Sequence, residues 1–285
     1  MAKKAEAAAM VSAIEAQARR ITTPCGDGSM VWRVWGTGKP VVLLHGGYGS
    51  WTHWIRTIPA LSRHYELYVA DMPGLGDSAM PPERTPESIA DVVAAGMREL
   101  FGETQRPHLA GFSFGGMIAG MTAERLAQHG DTRLADLTLI GVAALGLPHR
   151  VGAPPFEKVR STMNDAAIDA VHRHNLEILM FADAANIDAF AVYLQRENLK
   201  RARFKSRPYA TGDLLARALP HVNAPLKTIW GSRDVIGRGN LDARLDVLRE
   251  HHPELASRII GGSGHWVMYE AADAFNAAFA ELLDL

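Results

Sequence analysis

The chain has 285 residues, enough for one large α/β domain or for a core with a smaller insertion. Hydrophobic residues make up 47% and charged residues 21%, with 26 glycines and 15 prolines spread along the chain, which excludes disordered and collagen-like classes. Thirty basic residues face 31 acidic ones for a formal net charge of -1, so no global field draws the protein to nucleic acid or an anionic membrane, and a small-molecule substrate is the expected partner.

At the N-terminus Lys3 and Lys4 resemble the start of a signal peptide, but Glu6 and Glu15 interrupt what would be its apolar region. Residues 5–20 read as an exposed Ala-rich helix, and residues 1–20 as a helical extension. No apolar run reaches the roughly 18 residues of a membrane span. Cys25, the only cysteine, excludes an intramolecular disulfide and fits the cytoplasm. It sits in the turn-rich stretch Thr23-Pro24-Cys25-Gly26-Asp27-Gly28.

Short apolar runs then alternate with helical-period segments, the pattern of a parallel sheet covered by helices on both faces. Strands are expected at 31–35, 41–44, 67–70, 107–110, 137–140, 227–230 and 258–260. Helices are expected at 86–101, 115–129, 239–251 and 270–283. Between about Leu147 and His221 strand signals stop and successive helices follow. This organisation gives a core of residues 21–146 and 222–285 and a helical cap of residues 147–221, placed over the carboxyl ends of the strands where open α/β sheets bind ligands. Monomer and homodimer both stay open.

The segment Gly111-Phe112-Ser113-Phe114-Gly115-Gly116 directly follows the strand Leu109-Ala110 and opens an apolar helix. A strand-to-helix turn this tight needs small flanking residues and holds the serine hydroxyl exposed, as a nucleophile requires. A serine also needs a base, and the base needs a carboxylate to fix its tautomer. His265, in the glycine-rich loop Gly261-Gly262-Ser263-Gly264-His265-Trp266 after the last strand, fits the base. Asp234, just past the preceding strand, fits the carboxylate, whereas Asp242 lies on a predicted helix. Backbone N–H groups of Phe114 and of Gly47, in the loop His45-Gly46-Gly47-Tyr48-Gly49, are placed to form an oxyanion hole. His45 reads as structural. None of this chemistry calls for a metal or a cofactor.

Leu44-His45-Gly46-Gly47, the Asp71-to-Ser78 segment, the Ser113 turn, Asp234 and Gly264-His265-Trp266 together resemble the α/β-hydrolase superfamily. That resemblance implies an α/β-hydrolase fold, a Ser113–His265–Asp234 catalytic triad and an oxyanion hole at Gly47 and Phe114. Within the superfamily the chain is most similar to the meta-cleavage product hydrolases, which cut a carbon–carbon bond in ring-opened aromatic compounds. The Gly46–Tyr48 loop, Trp266 followed by Glu270, and the arginines of the cap carry this likeness. It implies substrate contacts at Gly46, Tyr48, Phe112 and Trp266. Arg196 would hold a substrate carboxylate through its bidentate fork, with Arg201 and Arg203 behind it.

The chain departs from that pattern in having Phe112 and Phe114 on either side of the serine, which suits an apolar acyl part. The basic run Lys200–Arg207 reads equally well as a solvated helix face, and Trp51 and Trp266 as core aromatics. Hydrolysis of an ester or of a carbon–carbon bond beside a carbonyl is therefore expected. A simple carboxylesterase, a cofactor-free perhydrolase and a non-catalytic receptor on the same fold are the alternatives.

Overall fold

In the computed structural model, residues 2–102, 104–130, 134–148 and 154–284 are described. Residues 1, 103, 131–133, 149–153 and 285 of the expected domains, of which 149–153 belong to the expected cap, lie outside the described residues. Eight strands form one sheet: β1 (Arg19–Cys25), β2 (Gly28–Trp35), β3 (Lys39–Leu44), β4 (Tyr65–Asp71), β5 (His108–Phe112), β6 (Asp136–Ile140), β7 (Leu226–Gly231) and β8 (Ala256–Ile260). Their spatial order is β1-β2-β4-β3-β5-β6-β7-β8, and β2 runs against the rest. This is the mostly parallel sheet that the alternating pattern predicts, in the α/β-hydrolase arrangement that the resemblance implies.

The helices are α1 (Ala2–Glu15), α2 (Ile58–Leu61), α3 (Pro86–Phe101), α4 (Phe114–Gln128), α5 (Asp165–Leu179), α6 (Ala189–Arg201), α7 (Leu214–Ala218), α8 (Leu241–His251), α9 (Val267–Glu270) and α10 (Ala272–Leu283). Alternate strand residues face opposite sides of the sheet, which divides the interior in two. On one face Val42, Leu44, Leu109, Leu137 and Leu139 pack with Ile89 and Met97 of α3 and Met117 and Ile118 of α4. On the other, Val41, Leu43, Ala110, Phe112 and Ile140 pack with Trp54 and with Phe275 and Phe279 of α10. The central strands are thus covered on both sides, which is why they read as unbroken apolar runs.

From β3 the chain moves to β4 on one side and then returns to set β5 on the other. The carboxyl ends of β3 and β5 therefore diverge, opening the crevice in which such sheets bind ligands. Helices α5, α6 and α7 lie between β6 and β7 in the chain. Helix α5 is capped by Asn164, whose side chain accepts the Ala167 N–H at 2.9 Å, and α6 by Asp188, which accepts the Ala191 N–H at 2.7 Å. Helix α1 joins them through Lys4, which pairs with Asp165 at 3.2 Å and Asp169 at 3.1 Å. Among the described residues no helix is long and apolar enough to cross a membrane.

One correction concerns the N-terminus. The helix ends at Glu15, and Arg19 and Arg20, expected in the helical extension, begin the strand β1. Pro24 and the adjoining glycines disguise this strand, but β1 is at the sheet edge, where a proline forfeits no needed ladder bond. A tight turn through Gly26, at φ +54°, joins it to β2.

Candidate active site

Ser113 directly follows β5 and precedes the first residue of α4, with φ 53° and ψ -117°. Such a conformation is strained for a residue with a side chain and persists only where the surroundings enforce it. The flanking glycines do so by close approach. A Cβ on Gly111 would lie 2.2 Å from the Gly115 carbonyl oxygen, and one on Gly115 would lie 2.3 Å from that of His45. The Ser113 N–H also donates to the Ile140 carbonyl at 2.8 Å, tying the turn to β6.

Asp234, in the loop after β7, and His265, in the loop after β8, reach the serine across the end of β6. Ser113 Oγ is 2.9 Å from His265 Nε2, and His265 Nδ1 is 2.9 Å and 3.0 Å from the two carboxylate oxygens of Asp234. With Nδ1–H donated to the carboxylate, Nε2 is left as the acceptor for the serine proton. Asp234 and His265 are buried. The Asp234 carboxylate also accepts the Ile236 N–H at 2.8 Å, which fixes its orientation. Asp242 lies exposed on α8, away from the strand end.

The loop after β3 faces this serine. A Cβ on Gly47 would lie 2.3 Å from Ser206 Oγ and 3.5 Å from the Phe114 Cβ, so the Gly47 backbone fits a slot that only glycine leaves open. The Gly47 N–H has no acceptor among the described residues. The Phe114 amide belongs to the first turn of α4, whose N–H groups have no partner within the helix. Tyr48 adopts a φ of 56°, a second strained residue beside the serine.

His45 is structural, because its ring bonds only loop backbone. Nε2 accepts the Met72 N–H at 3.0 Å, so Nδ1 carries the proton and donates to the Gly46 carbonyl at 2.8 Å. Burial pushes its pKa below the ordinary imidazole value.

A cavity of about 190 Å³ lies over Ser113. Gly46, Gly47, Tyr48, Phe112, Ser113, Phe114 and His265 line its floor, while Phe156, Asn175, Leu179, Met180, Gln195, Leu199, Ser206 and Arg207 form the cap side. This is smaller than the roughly 300–1,000 Å³ of drug-sized ligand pockets, and its apolar walls flank the serine on both sides. Among the described residues no group of three or more His, Cys, Asp or Glu side chains is placed to hold a metal ion.

Two expected substrate contacts lie elsewhere. Arg196 points to α5, pairing with Asp165 at 2.7 Å and Asp169 at 2.9 Å. Both carboxylates have lowered pKa values: for Asp165 the hydrogen bond to Arg196 is the main cause, and for Asp169 burial is the largest single effect and raises the pKa, but the combined pull of Arg196 and Lys4 outweighs it. Trp266 is fully buried, its indole N–H donating to the His53 carbonyl at 3.0 Å, and it packs behind the cavity wall. Arg201 pairs with Asp77 at 3.0 Å, and Arg203 donates to the carbonyls of Gly76 and Ser78. The cap arginine that lines the cavity is Arg207, whose guanidinium lies 4.1 Å from the Phe156 ring centre and 5.1 Å from that of Tyr48. Among the described residues it has no carboxylate partner.

Glu270 closes the rear of the site. Its carboxylate accepts N–H bonds from Gly264 at 2.6 Å, Ala182 at 3.0 Å and Asp183 at 3.0 Å, binding the His265 loop to the end of the α5 segment. His53 and Arg207 were not among the sequence candidates. The only signal for His53 was a histidine between two tryptophans just after the glycine loop.

The sequence profile described as the alpha/beta hydrolase family matches residues 41–278. The chain is 28% identical over 251 residues to the dihydrolipoyllysine-residue acetyltransferase component of the acetoin cleaving system of Pseudomonas putida, covering 84% of this chain but only 62% of that relative's length. It is 26% identical over 275 residues to the 2-hydroxy-6-oxo-6-phenylhexa-2,4-dienoate hydrolase of Comamonas testosteroni, covering 87% of this chain and 88% of the relative. The crystal structure of naproxen esterase from Bacillus subtilis superposes with a TM-score of 0.75 at 18% identity, covering 99% of this chain and 97% of that one, which shows a shared fold.

Proposed function

The chain belongs to the α/β-hydrolase family and is a hydrolase, and from that premise we propose that Ser113, His265 and Asp234 hydrolyse a bond next to the carbonyl of a small, partly apolar metabolite. The observation that carries this reading is the unbroken hydrogen-bonded path from Ser113 Oγ through both nitrogens of His265 to Asp234. In the reaction on an ester, His265 Nε2 takes the serine proton as Oγ bonds to the carbonyl carbon. The Asp234 carboxylate stabilises the resulting imidazolium, and the N–H groups of Gly47 and Phe114 receive the negative charge on the former carbonyl oxygen. His265 returns the proton to the departing alcohol. Water, activated by the same imidazole, then releases the acid from the acyl-serine. Phe112 and Phe114 form an apolar collar for the acyl part.

A second reading, carbon–carbon cleavage in a ring-opened dienoate from aromatic compound degradation, is favoured by the likeness to the Comamonas testosteroni dienoate hydrolase. There His265 would first assist ketonisation of the dienol, and Arg207, rather than Arg196, would meet the substrate carboxylate at the cavity. A turnover screen decides between them, using p-nitrophenyl esters of increasing acyl length beside 2-hydroxy-6-oxo-dienoates, with wild type and Ser113→Ala. Ester turnover lost in Ser113→Ala supports the first reading, and dienoate turnover that needs both Ser113 and Arg207 supports the second. Turnover of either class that survives Ser113→Ala would refute both.

A further inference from the structure

His53 lies on a 3-10 turn, Trp51–Trp54, and lines the cavity beside His265 and the Gly46–Gly47 loop. The turn is held firmly. The Ser50 side chain accepts the Thr52 N–H at 3.3 Å and donates to Asn198 Oδ1 at 2.7 Å, and the Trp51 N–H donates to Asp71 at 2.8 Å. The indole of Trp266 takes the His53 carbonyl, and its ring centre lies 5.1 Å from the imidazole centre. Phe112 contacts the imidazole at 5.6 Å.

So fixed, the imidazole Nδ1 accepts the Gly46 N–H at 3.1 Å. On the other side of the same glycine, His45 Nδ1–H donates to the Gly46 carbonyl at 2.8 Å. A peptide unit is planar, with its N–H trans to its C=O. Holding the Gly46 carbonyl therefore sets the direction of the Gly47 N–H, and holding the Gly46 N–H sets the preceding peptide plane. Two adjacent glycines have more backbone freedom than any other pair, so their aim needs such outside restraint.

We propose that His53 is a positioning residue for the oxyanion donor: its Nδ1 lone pair fixes the peptide plane entering Gly46 while His45 fixes the plane leaving it, and the two together aim the Gly47 N–H at the carbonyl oxygen above Ser113. This rests on the reading of Ser113 as nucleophile and Gly47 as oxyanion donor. The role demands a neutral ring, because a protonated Nδ1 accepts nothing. Burial meets that demand by driving the His53 pKa well below the ordinary imidazole value, with the neighbouring His45 and His265 acting in the same direction.

The test compares His53→Leu, which fills similar space without an acceptor, with His53→Asn, whose Oδ1 falls near the position of Nδ1 and keeps one. Two rates are read: kcat and KM on p-nitrophenyl acetate, and the phosphonylation rate with an alkyl fluorophosphonate. In the latter Ser113 Oγ bonds to phosphorus, His265 takes the proton and fluoride leaves. His53→Leu should lower both kcat and the phosphonylation rate by roughly 10- to 100-fold with KM nearly unchanged, somewhat below the loss from deleting an oxyanion donor outright. His53→Asn should stay within a few fold of wild type. Equal loss in the two variants, or no loss in His53→Leu, overturns the proposal. Should His53→Leu fail to fold, hydrogen exchange of the Gly46 amide in the wild-type protein decides, slow exchange being expected and exchange at the rate of an open loop being contrary. A wild-type enzyme that the fluorophosphonate does not label at Ser113 would instead strike at the underlying reading.

Discussion

Ser113, Asp234 and His265 each stand beyond the carboxyl end of a strand, whereas the cap arginines stand on or after α6, outside the sheet. The first group converges because the sheet fixes the spacing of its strand ends, and hydrogen bonds of 2.9 Å connect all three residues. In the cap, Arg196 is engaged by Asp165 and Asp169, Arg201 by Asp77 and Arg203 by backbone carbonyls, which leaves Arg207 at the cavity. Similar residue types one or two helical turns apart thus serve packing in one case and face the ligand space in another. Position on a strand end constrains chemistry far more tightly than position on a cap helix.

The sharpest way to break this contrast is at the carboxylate of the core. Asp234→Asn keeps the shape but leaves His265 in the wrong tautomer, and kcat on p-nitrophenyl acetate should fall by about 10³- to 10⁴-fold. A loss of less than tenfold would show that the buried carboxylate only packs. Next, Gly47→Ala sets a methyl against Ser206 Oγ at 2.3 Å and pushes the loop from Phe114. Its kcat should drop on the order of 10- to 100-fold with the fold intact by circular dichroism.

The cap side should respond more weakly and more selectively. Replacing Arg207 by Ala should raise KM for carboxylate-bearing substrates by roughly tenfold, the value of one charge-assisted contact, and leave neutral esters unaffected. Equal KM changes for both kinds of substrate would remove Arg207 from recognition. Arg196→Ala should produce the smallest effect, a small loss of stability seen by urea denaturation, because Asp165 is exposed and Asp169 partly exposed, so that solvent screens the pairs. An increase in KM without a change in stability would return Arg196 to the binding site.

Legibility in the sequence follows the same division. The Ser113 turn can be read because much of its demand is local: a Cβ on Gly111 would meet the Gly115 backbone, and one on Gly116 would meet the Gly111 backbone, all within six residues. Asp234 and His265 can be read because each directly follows an apolar strand run. Arg196 cannot be assigned that way, since its partners lie 27 and 31 residues earlier, across a helix packing that no local pattern encodes. His53 escapes because the bond that gives it a role runs to a backbone amide of the glycine loop. Strand β1 escapes because Pro24 and two nearby glycines read as a turn, and its edge position is known only once β2 pairs with it.

The measurement that bears most directly on the central claim is peptide mapping of the protein after reaction with an alkyl fluorophosphonate. A single phosphonyl adduct on Ser113, absent in Ser113→Ala and formed far more slowly in Asp234→Asn, is the expected result. An unmodified Ser113, or an adduct that forms equally fast without the Asp234 carboxylate, would contradict the account.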